Sequence, residues 1–281
     1  MNPLSLLLSV SLLSFFFSAP NNNSTALNPT DESTGDFYLV EKEYAGTNVD
    51  GYNLYVPKSC NEDSEAFPVI MFFHGGSSVG GAKVDVVYER NVAKYLKETS
   101  GLESELKQLR LNTFVYIIPH ISQGQFYQGT AAYPQIIAEV AEQYNIDEDR
   151  VYLTGLSRGG HGTWGVASQI PETFAAVAPL CGGQHGVKNY EGFKGLPMWT
   201  AHNLADQSVL HEETKEAVEK IELINEKPFH RTYKVKGVDY ESYQYIFTSG
   251  SHPVNHHNAW SEIYTSVEFY KWLLRFERDK E

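Results

Sequence analysis

One serine in this chain has a setting that could support nucleophilic chemistry. Ser157 lies in the segment VYLTGLSRGGHGTW (151–164), where an apolar, strand-like run meets a helix-like segment. Glycine has no Cβ, so the G-x-S-x-G pattern lets a strand and a helix meet at a sharp turn that exposes the serine hydroxyl. This spacing is common by chance, but the flanking strand and helix are the context that the mechanism requires. The segment therefore predicts a nucleophile elbow, with Ser157 attacking an acyl carbon.

A serine hydroxyl is a weak nucleophile at neutral pH, and it needs a histidine to take its proton and a carboxylate to orient that histidine. In folds with a nucleophile elbow the chain order is serine, acid, histidine. Asp206 follows the second strand-like run after Ser157, in the segment PMWTAHNLADQSVL. We therefore predict Asp206 as the acid, with Asp239 as the alternative.

The base is expected between the last strand and the closing helix. The segment SYQYIFTSGSHPVNHHNAW lies there and contains His252, His256 and His257. We predict His257 as the base, with His256 as the alternative. Pro253 disfavours the helix on which paired metal-binding histidines of the H-E-x-x-H kind would lie. No metal and no cofactor are therefore predicted.

Acyl transfer also requires hydrogen-bond donors for the oxyanion that forms when the serine attacks. The backbone N–H of Arg158, the residue after the nucleophile, is one predicted donor. The second is expected in the loop FFHGGSSVGG, where Gly76 is the predicted donor and Gly75 and Ser77 are alternatives. For the Arg158 side chain we expect an internal ion pair, with an acidic substrate group as the alternative partner.

The elements that must position these residues follow an alternating pattern. Five short, nearly all-apolar runs are typical of parallel strands buried on both faces. They cover residues 68–73, 113–119, 150–155, 174–180 and 197–202. Helical patterns cover residues 84–97, 131–144, 158–169, 209–223 and 260–278. This alternation predicts an α/β fold with a mostly parallel, doubly wound sheet of about eight strands and helices on both faces.

The amino-terminal region differs from this pattern. An apolar run within residues 1–19 is too short to span a bilayer comfortably and predicts a cleaved signal peptide and a secreted or periplasmic protein. Residues 20–36 are polar and aperiodic and predict a disordered spacer. Residues 37–281 then form one catalytic domain, which starts with a hairpin whose turn is expected near Asp50 and Gly51.

Charge and cysteine content limit the possible partners. The 281 residues include 22 Lys and Arg against 35 Asp and Glu, a net charge of −13. This charge argues against binding to nucleic acid or to anionic membranes, which depends on clustered Lys and Arg. Only Cys60 and Cys181 could form a disulfide. We predict two free thiols, because a domain of this size does not need a disulfide for stability.

Several of these segments resemble a known group, the exported α/β-hydrolases of the polyhydroxybutyrate depolymerase, feruloyl esterase and "predicted peptidase" type. The similarity lies in the elbow segment YNIDEDRVYLTGLSRGG (144–160), the acid loop HNLADQSV (202–209) and an H-x-x-W motif at 257–260. It covers most of the chain from about Phe37 and is weaker over 221–253.

The resemblance implies an α/β-hydrolase fold. It also implies cofactor-free hydrolysis of carboxylic esters through an acyl-serine intermediate, on small acyl or carbohydrate-linked esters. A serine peptidase of the same fold and a catalytically silent binding protein are the alternatives. The sequence does not decide the oligomeric state.

Overall fold

The computed structural model describes residues 24–27, 35–60, 65–79, 96, 103–236, 241–248 and 256–278. Ten strands lie within this part of the chain. They are β1 (Ser24–Leu27), β2 (Gly35–Glu41), β3 (Val49–Pro57), β4 (Phe67–Phe73), β5 (Val115–Ile121), β6 (Ile146–Leu156), β7 (Ala176–Leu180), β8 (Met198–Asn203), β9 (His230–Thr232) and β10 (Tyr243–Thr248). All ten form one sheet in the order β1-β2-β3-β5-β4-β6-β7-β8-β10-β9.

The sheet is parallel from β5 to β9 and antiparallel at its amino-terminal edge. β4 pairs in parallel with β5 and β6, and the parallel pairing continues through β7, β8, β10 and β9. β1, β2, β3 and β5 pair antiparallel in sequence. Because the central strands run in parallel, the loops after β4, β6, β8 and β10 meet at one edge of the sheet. The prediction of a mostly parallel sheet is confirmed.

Six α-helices lie within the described residues. They are α1 (Ser104–Asn112), α2 (Tyr133–Ala141), α3 (Arg158–Ala167), α4 (His211–Asn225), α5 (Trp260–Tyr264) and α6 (Val267–Leu273). One predicted helix, 84–97, lies outside the described residues apart from Leu96. The predicted closing helix over 260–278 is two helices, because the Ser266 hydroxyl caps α6 by accepting the Phe269 N–H.

The two faces of the sheet carry separate apolar cores. Helices α2, α3 and α4 contribute to one core and α1, α5 and α6 to the other. Neighbouring residues of β4 alternate between them, with Met71 in the first core and Phe72 in the second. Side chains of a strand point to opposite faces, so both sides of β4 need an apolar cover. Helices on both faces are thereby confirmed.

The spacer prediction for 20–36 differs from the structure at two places. β1 lies inside this stretch, and β2 begins at Gly35. Ser24 to Leu27 pair antiparallel with Val40 to Phe37. A four-residue edge strand takes its stability from this backbone pairing, which no local pattern reveals. The predicted signal peptide lies outside the described residues, and within those residues no helix is long and apolar enough to cross a membrane.

The predicted hairpin turn is also displaced. Residues 42–48 connect β2 to β3, whereas Asp50 and Gly51 lie inside β3. Gly51 has φ +146°, and a Cβ there would lie 2.3 Å from the Val40 carbonyl oxygen. The pairing register with β5 shifts between Val49 and Gly51. The glycine thus serves an irregularity of the strand, which accounts for the wrong position of the turn.

Candidate active site

Ser157 lies at the turn between β6 and α3. Its backbone has φ 55° and ψ −116°, a conformation that costs free energy in a non-glycine residue. The turn is held by the Ser157 N–H, which donates to the Leu180 carbonyl at 2.9 Å. Glycines make room for it: a Cβ on Gly159 would lie 2.0 Å from the Phe73 carbonyl oxygen, and one on Gly160 2.4 Å from that of Leu180. The glycines around Ser157 therefore allow α3 to begin against the ends of β4 and β7.

The structure brings Asp206 and His257 to this serine. Asp206 follows β8, and His257 precedes α5. His257 Nε2 lies 2.8 Å from Ser157 Oγ, and His257 Nδ1 lies 2.6 Å from Asp206 Oδ2. A ring that donates Nδ1–H to the carboxylate leaves Nε2 free to accept the serine proton. The alternative acid, Asp239, lies outside the described residues, as does His252. The alternative base, His256, directly precedes His257 and has a backbone φ of 52°.

The Asp206 carboxylate is buried and is surrounded by donors. Oδ1 accepts the backbone N–H groups of Ser208 at 2.8 Å and Val209 at 3.1 Å. Oδ2 faces both His257 and His202. Burial alone would raise the pKa of Asp206, but the hydrogen bonds from His202, His257 and the two backbone groups outweigh it and hold the pKa well below its ordinary value. Asp206 is therefore ionised across the neutral pH range.

His202 is a second histidine on the same carboxylate. Its Nε2 lies 2.9 Å from the Val209 carbonyl oxygen and 3.2 Å from Asp206 Oδ2, so this nitrogen donates. Its Nδ1 lies 2.8 Å from Thr214 Oγ1, and the Thr214 hydroxyl donates its only proton to the Gly182 carbonyl. Both ring nitrogens of His202 thus have hydrogen-bond partners inside the protein, which fixes the ring beside Asp206. Sequence reasoning missed His202, although its place four residues before Asp206, at the end of an apolar run, was an available signal.

Arg158 and Gly76, the residues predicted to supply the oxyanion donors, are neighbours in the structure. Arg158 is the first residue of α3, and Gly76 begins a 3-10 helix, Gly76–Ser78, after β4. A Cβ on Gly76 would lie 3.2 Å from Arg158 Nε, which places the glycine loop next to the elbow. The Arg158 guanidinium donates from Nη1 to the Gly124 carbonyl at 2.7 Å. The sequence predicted an ion pair for this side chain, whereas this partner is an uncharged backbone carbonyl.

Two buried histidines support the glycine loop from below. His74 Nδ1 lies 2.9 Å from the Gly75 carbonyl oxygen, and its ring centroid lies 5.6 Å from that of His120. His120 Nδ1 in turn lies 2.6 Å from Asp50 Oδ1. Burial lowers the pKa of His74 to about 4, so this ring is neutral at pH 7. Their position indicates that these histidines shape the loop.

The loop that carries His257 is fixed from two sides. The His257 ring meets the Trp260 ring edge to face, with centroids 5.2 Å apart. The backbone N–H of Ala259 donates to Cys181 Sγ at 3.2 Å. Burial raises the pKa of the Cys181 thiol to about 12, so the sulfur is not a thiolate near neutral pH. Cys60 and Cys181 are both free, which confirms that prediction.

Curated proteins are similar to short segments of this chain, and no family model matches it. A bifunctional acetylxylan esterase/xylanase of Neocallimastix patriciarum is 32% identical over 108 residues, 36% of this chain. Poly(3-hydroxyalkanoate) depolymerase C of Paucimonas lemoignei is 39% identical over 51 residues, 18% of this chain. The chain spans only 16% and 12% of the lengths of these curated relatives.

Solved structures match over more of the chain. A thermostable esterase matches with a TM-score of 0.64 and 24% identity, over 92% of this chain and 64% of its own. The feruloyl esterase module from Clostridium thermocellum, complexed with sinapinate, has a TM-score of 0.60 and 14% identity, over 90% and 92%. Acetyl xylan esterase from Aspergillus awamori has a TM-score of 0.60 and 16% identity, over 84% and 99%. This chain therefore has the α/β-hydrolase fold, and its sequence is similar to segments of an esterase and a depolymerase.

Proposed function

We propose that this protein is a serine esterase that hydrolyses carboxylic esters through an acyl-serine intermediate. The observation that carries the proposal is the position of the His257 ring, 2.8 Å from Ser157 Oγ and 2.6 Å from Asp206 Oδ2. Nucleophile, base and acid thus stand in the order and at the distances that acyl transfer requires. The similarity to an acetylxylan esterase and to a polyester depolymerase supports the same reaction.

The first half of the reaction forms the acyl-enzyme. Ser157 Oγ attacks the ester carbonyl carbon while His257 Nε2 takes the hydroxyl proton. The carbonyl oxygen becomes an oxyanion, which accepts hydrogen bonds from the backbone N–H groups of Arg158 and Gly76. Asp206 stabilises the His257 imidazolium. When the tetrahedral intermediate collapses, the ester C–O bond breaks and His257 returns the proton to the leaving alcohol.

The second half releases the acid and restores the serine. Water attacks the acyl carbon while His257 Nε2 takes one of its protons, and the second tetrahedral intermediate occupies the same oxyanion site. Collapse breaks the bond to Ser157 Oγ, and His257 gives the proton back to that oxygen. The cycle consumes one water and one ester, yields one acid and one alcohol, and uses no cofactor.

For the substrate we propose small acyl groups on a carbohydrate. The similar proteins are an acetylxylan esterase, a poly(3-hydroxyalkanoate) depolymerase and a feruloyl esterase module. A secreted or periplasmic location suits a polysaccharide-linked ester, and it depends on the signal peptide predicted for residues 1–19. The net charge of −13 gives the protein no attraction to nucleic acid.

Three substrates and one covalent probe test the proposal. The purified protein is expected to hydrolyse p-nitrophenyl acetate and a feruloyl sugar ester faster than an aminoacyl anilide, and a fluorophosphonate should label Ser157. Ser157→Ala is the matched control, because it removes only the nucleophilic oxygen and should abolish both turnover and labelling. Turnover of the anilide alone would identify a peptidase. Absence of both labelling and turnover would identify a binding protein.

A further inference from the structure

A second group of histidines and a carboxylate lies close to the elbow. It consists of His161 on α3, His185 in the loop between β7 and α4, and Glu213 in the first turn of α4. One nitrogen or oxygen ligand atom from each of these residues lies within 4.8 Å of the other two. We propose that these three residues bind a divalent transition-metal ion of the Zn²⁺ class.

One pair of these side chains already stands close to the separation that a metal requires. His185 Nε2 lies 3.1 Å from Glu213 Oε2, and the ring centroids of His161 and His185 are 4.5 Å apart. Zinc binds imidazole nitrogen and carboxylate oxygen at about 2.0–2.2 Å, so two ligands of a tetrahedral site lie about 3.4 Å apart. The His185 side chain is 57% exposed and that of Glu213 33%. Both can rotate to bring the three donors around one ion.

The backbone of Gly183 orients His161 for this role. His161 Nδ1 accepts the Gly183 N–H at 2.8 Å and lies 3.0 Å from the Gly183 carbonyl oxygen. Metal binding at Nε2 requires the other tautomer, in which Nδ1–H donates to this carbonyl and Nε2 carries the lone pair. Histidines that bind metal are commonly held in this way, with one nitrogen on a backbone carbonyl and the other on the ion.

Gly183 also leaves the space that the carboxylate occupies. A Cβ at this position would lie 1.7 Å from Glu213 Oε2. Any other residue would displace the Glu213 carboxylate from His185. The absence of a side chain at position 183 therefore has a function in the cluster that the fold alone does not require.

The donor set selects the class of ion. Two imidazoles and one carboxylate suit Zn²⁺, Co²⁺, Ni²⁺ and Cu²⁺, whereas Ca²⁺ and Mg²⁺ favour sites made of oxygen. The exposure of His185 leaves the remaining coordination positions to water. The three ligands come from positions 161, 185 and 213, a spacing that matches no local metal-binding motif, which explains why the sequence predicted no metal.

The test is isothermal titration calorimetry of ZnCl₂ into the full chain, freed of metal by a chelator and carrying no affinity tag. Wild-type protein is expected to bind one ion per chain at this cluster. His185→Ala and Glu213→Gln each remove one ligand and should weaken that binding at least about 10-fold to 100-fold. Gly183→Ala keeps all three ligands but displaces the carboxylate, so it should weaken binding as well.

His211→Ala provides the matched control. His211 is the first residue of α4, and its Nδ1 lies 3.3 Å from Glu212 Oε2. The substitution therefore removes a nearby histidine that is not one of the three proposed ligands. Binding should be unchanged in this variant. Absence of saturable binding in the wild type, or wild-type affinity in both His185→Ala and Glu213→Gln, would overturn the proposal. Because calorimetry measures the heat of metal binding, the result does not depend on whether the protein hydrolyses esters.

Discussion

Two clusters, each of two histidines and one carboxylate, lie near Ser157 and differ chiefly in burial. The buried cluster is His202, Asp206 and His257, and the exposed cluster is His161, His185 and Glu213. The Asp206 side chain is 0% exposed, whereas that of Glu213 is 33% exposed. A charge away from water must have its hydrogen-bonding capacity filled by the protein, while a charge in water need not. The same residue types can therefore serve different chemistry.

The buried cluster has little capacity left for an added ligand. Both oxygens of Asp206 face donors, and its histidines are held by the Thr214 hydroxyl on one side and Ser157 on the other. Such a carboxylate is a fixed charge that can stabilise an imidazolium. In the exposed cluster the His185 and Glu213 side chains reach solvent, so they can close around an ion. Burial therefore distinguishes the cluster suited to proton transfer from the cluster that could bind an ion.

The largest expected effect comes from neutralising the buried carboxylate. In Asp206→Asn the amide no longer fixes the His257 tautomer that leaves Nε2 free to accept a proton. We expect kcat for p-nitrophenyl acetate to fall about 10⁴-fold, with a smaller change in KM. Asp147→Asn is the control, since Asp147 pairs with Arg150 near the surface, 2.6 Å away. A kcat within tenfold of wild type in Asp206→Asn would remove the buried cluster from the mechanism.

Two glycines, Gly159 at the elbow and Gly183 beside the exposed cluster, should differ in how much a substitution lowers the free energy of unfolding. A Cβ at position 159 meets the Phe73 carbonyl oxygen at 2.0 Å, and this backbone cannot move without displacing β4. Gly159→Ala should lower the free energy of unfolding by about 2 kcal/mol or more. A Cβ at position 183 meets the Glu213 carboxylate oxygen at 1.7 Å and the Glu213 Cβ at 3.1 Å. The carboxylate can rotate away and the second contact needs only a small shift, so Gly183→Ala should cost less than about 1 kcal/mol. Urea unfolding midpoints measure both, and equal losses would contradict the contrast between a rigid and an adjustable region.

The second histidine of the buried cluster is expected to affect kcat less than Asp206 does. His202→Phe keeps a ring of similar size but removes a donor from Asp206. Loss of a hydrogen bond to a charged group costs about 1.5–3 kcal/mol, which corresponds to a kcat about 10-fold to 100-fold lower if the loss falls on the transition state. Steady-state kinetics with p-nitrophenyl acetate measure this change, and KM should change less than kcat.

The control for this variant is His230→Phe, on the short strand β9 at the far edge of the sheet. It should leave kcat unchanged. A His202→Phe enzyme that is less stable but keeps the wild-type kcat would show that His202 serves only in packing.

The sequence predicted the features that depend on neighbouring residues and not those that depend on residues distant in the chain. The elbow is a local feature, since glycines on both sides of Ser157 are needed wherever a strand turns sharply into a helix, and it was predicted in place. The central strands were predicted because burial on both faces leaves a run of apolar residues. β1 and β9 were not, because short strands at the two edges depend on partners distant in the chain. The exposed cluster was not predicted for the same reason, because its three residues lie on α3, in the loop between β7 and α4, and on α4.

The smallest expected effect concerns stability at acid pH. Burial would raise the pKa of Asp206, but bonds from His202 and His257 outweigh it and hold the pKa well below its ordinary value. A group whose pKa is lower in the folded state contributes stability above its unfolded pKa, about 3.9 for Asp, and loses this contribution as the pH falls toward the folded pKa. Wild-type protein should therefore lose more stability between about pH 5 and pH 3 than Asp206→Asn, which has no carboxylate to protonate. Urea midpoints at several pH values measure the two slopes. Parallel curves down to pH 3 would mean that the bonds seen around Asp206 do not bias its ionisation, and the fixed charge assigned to the buried cluster would lose its physical basis.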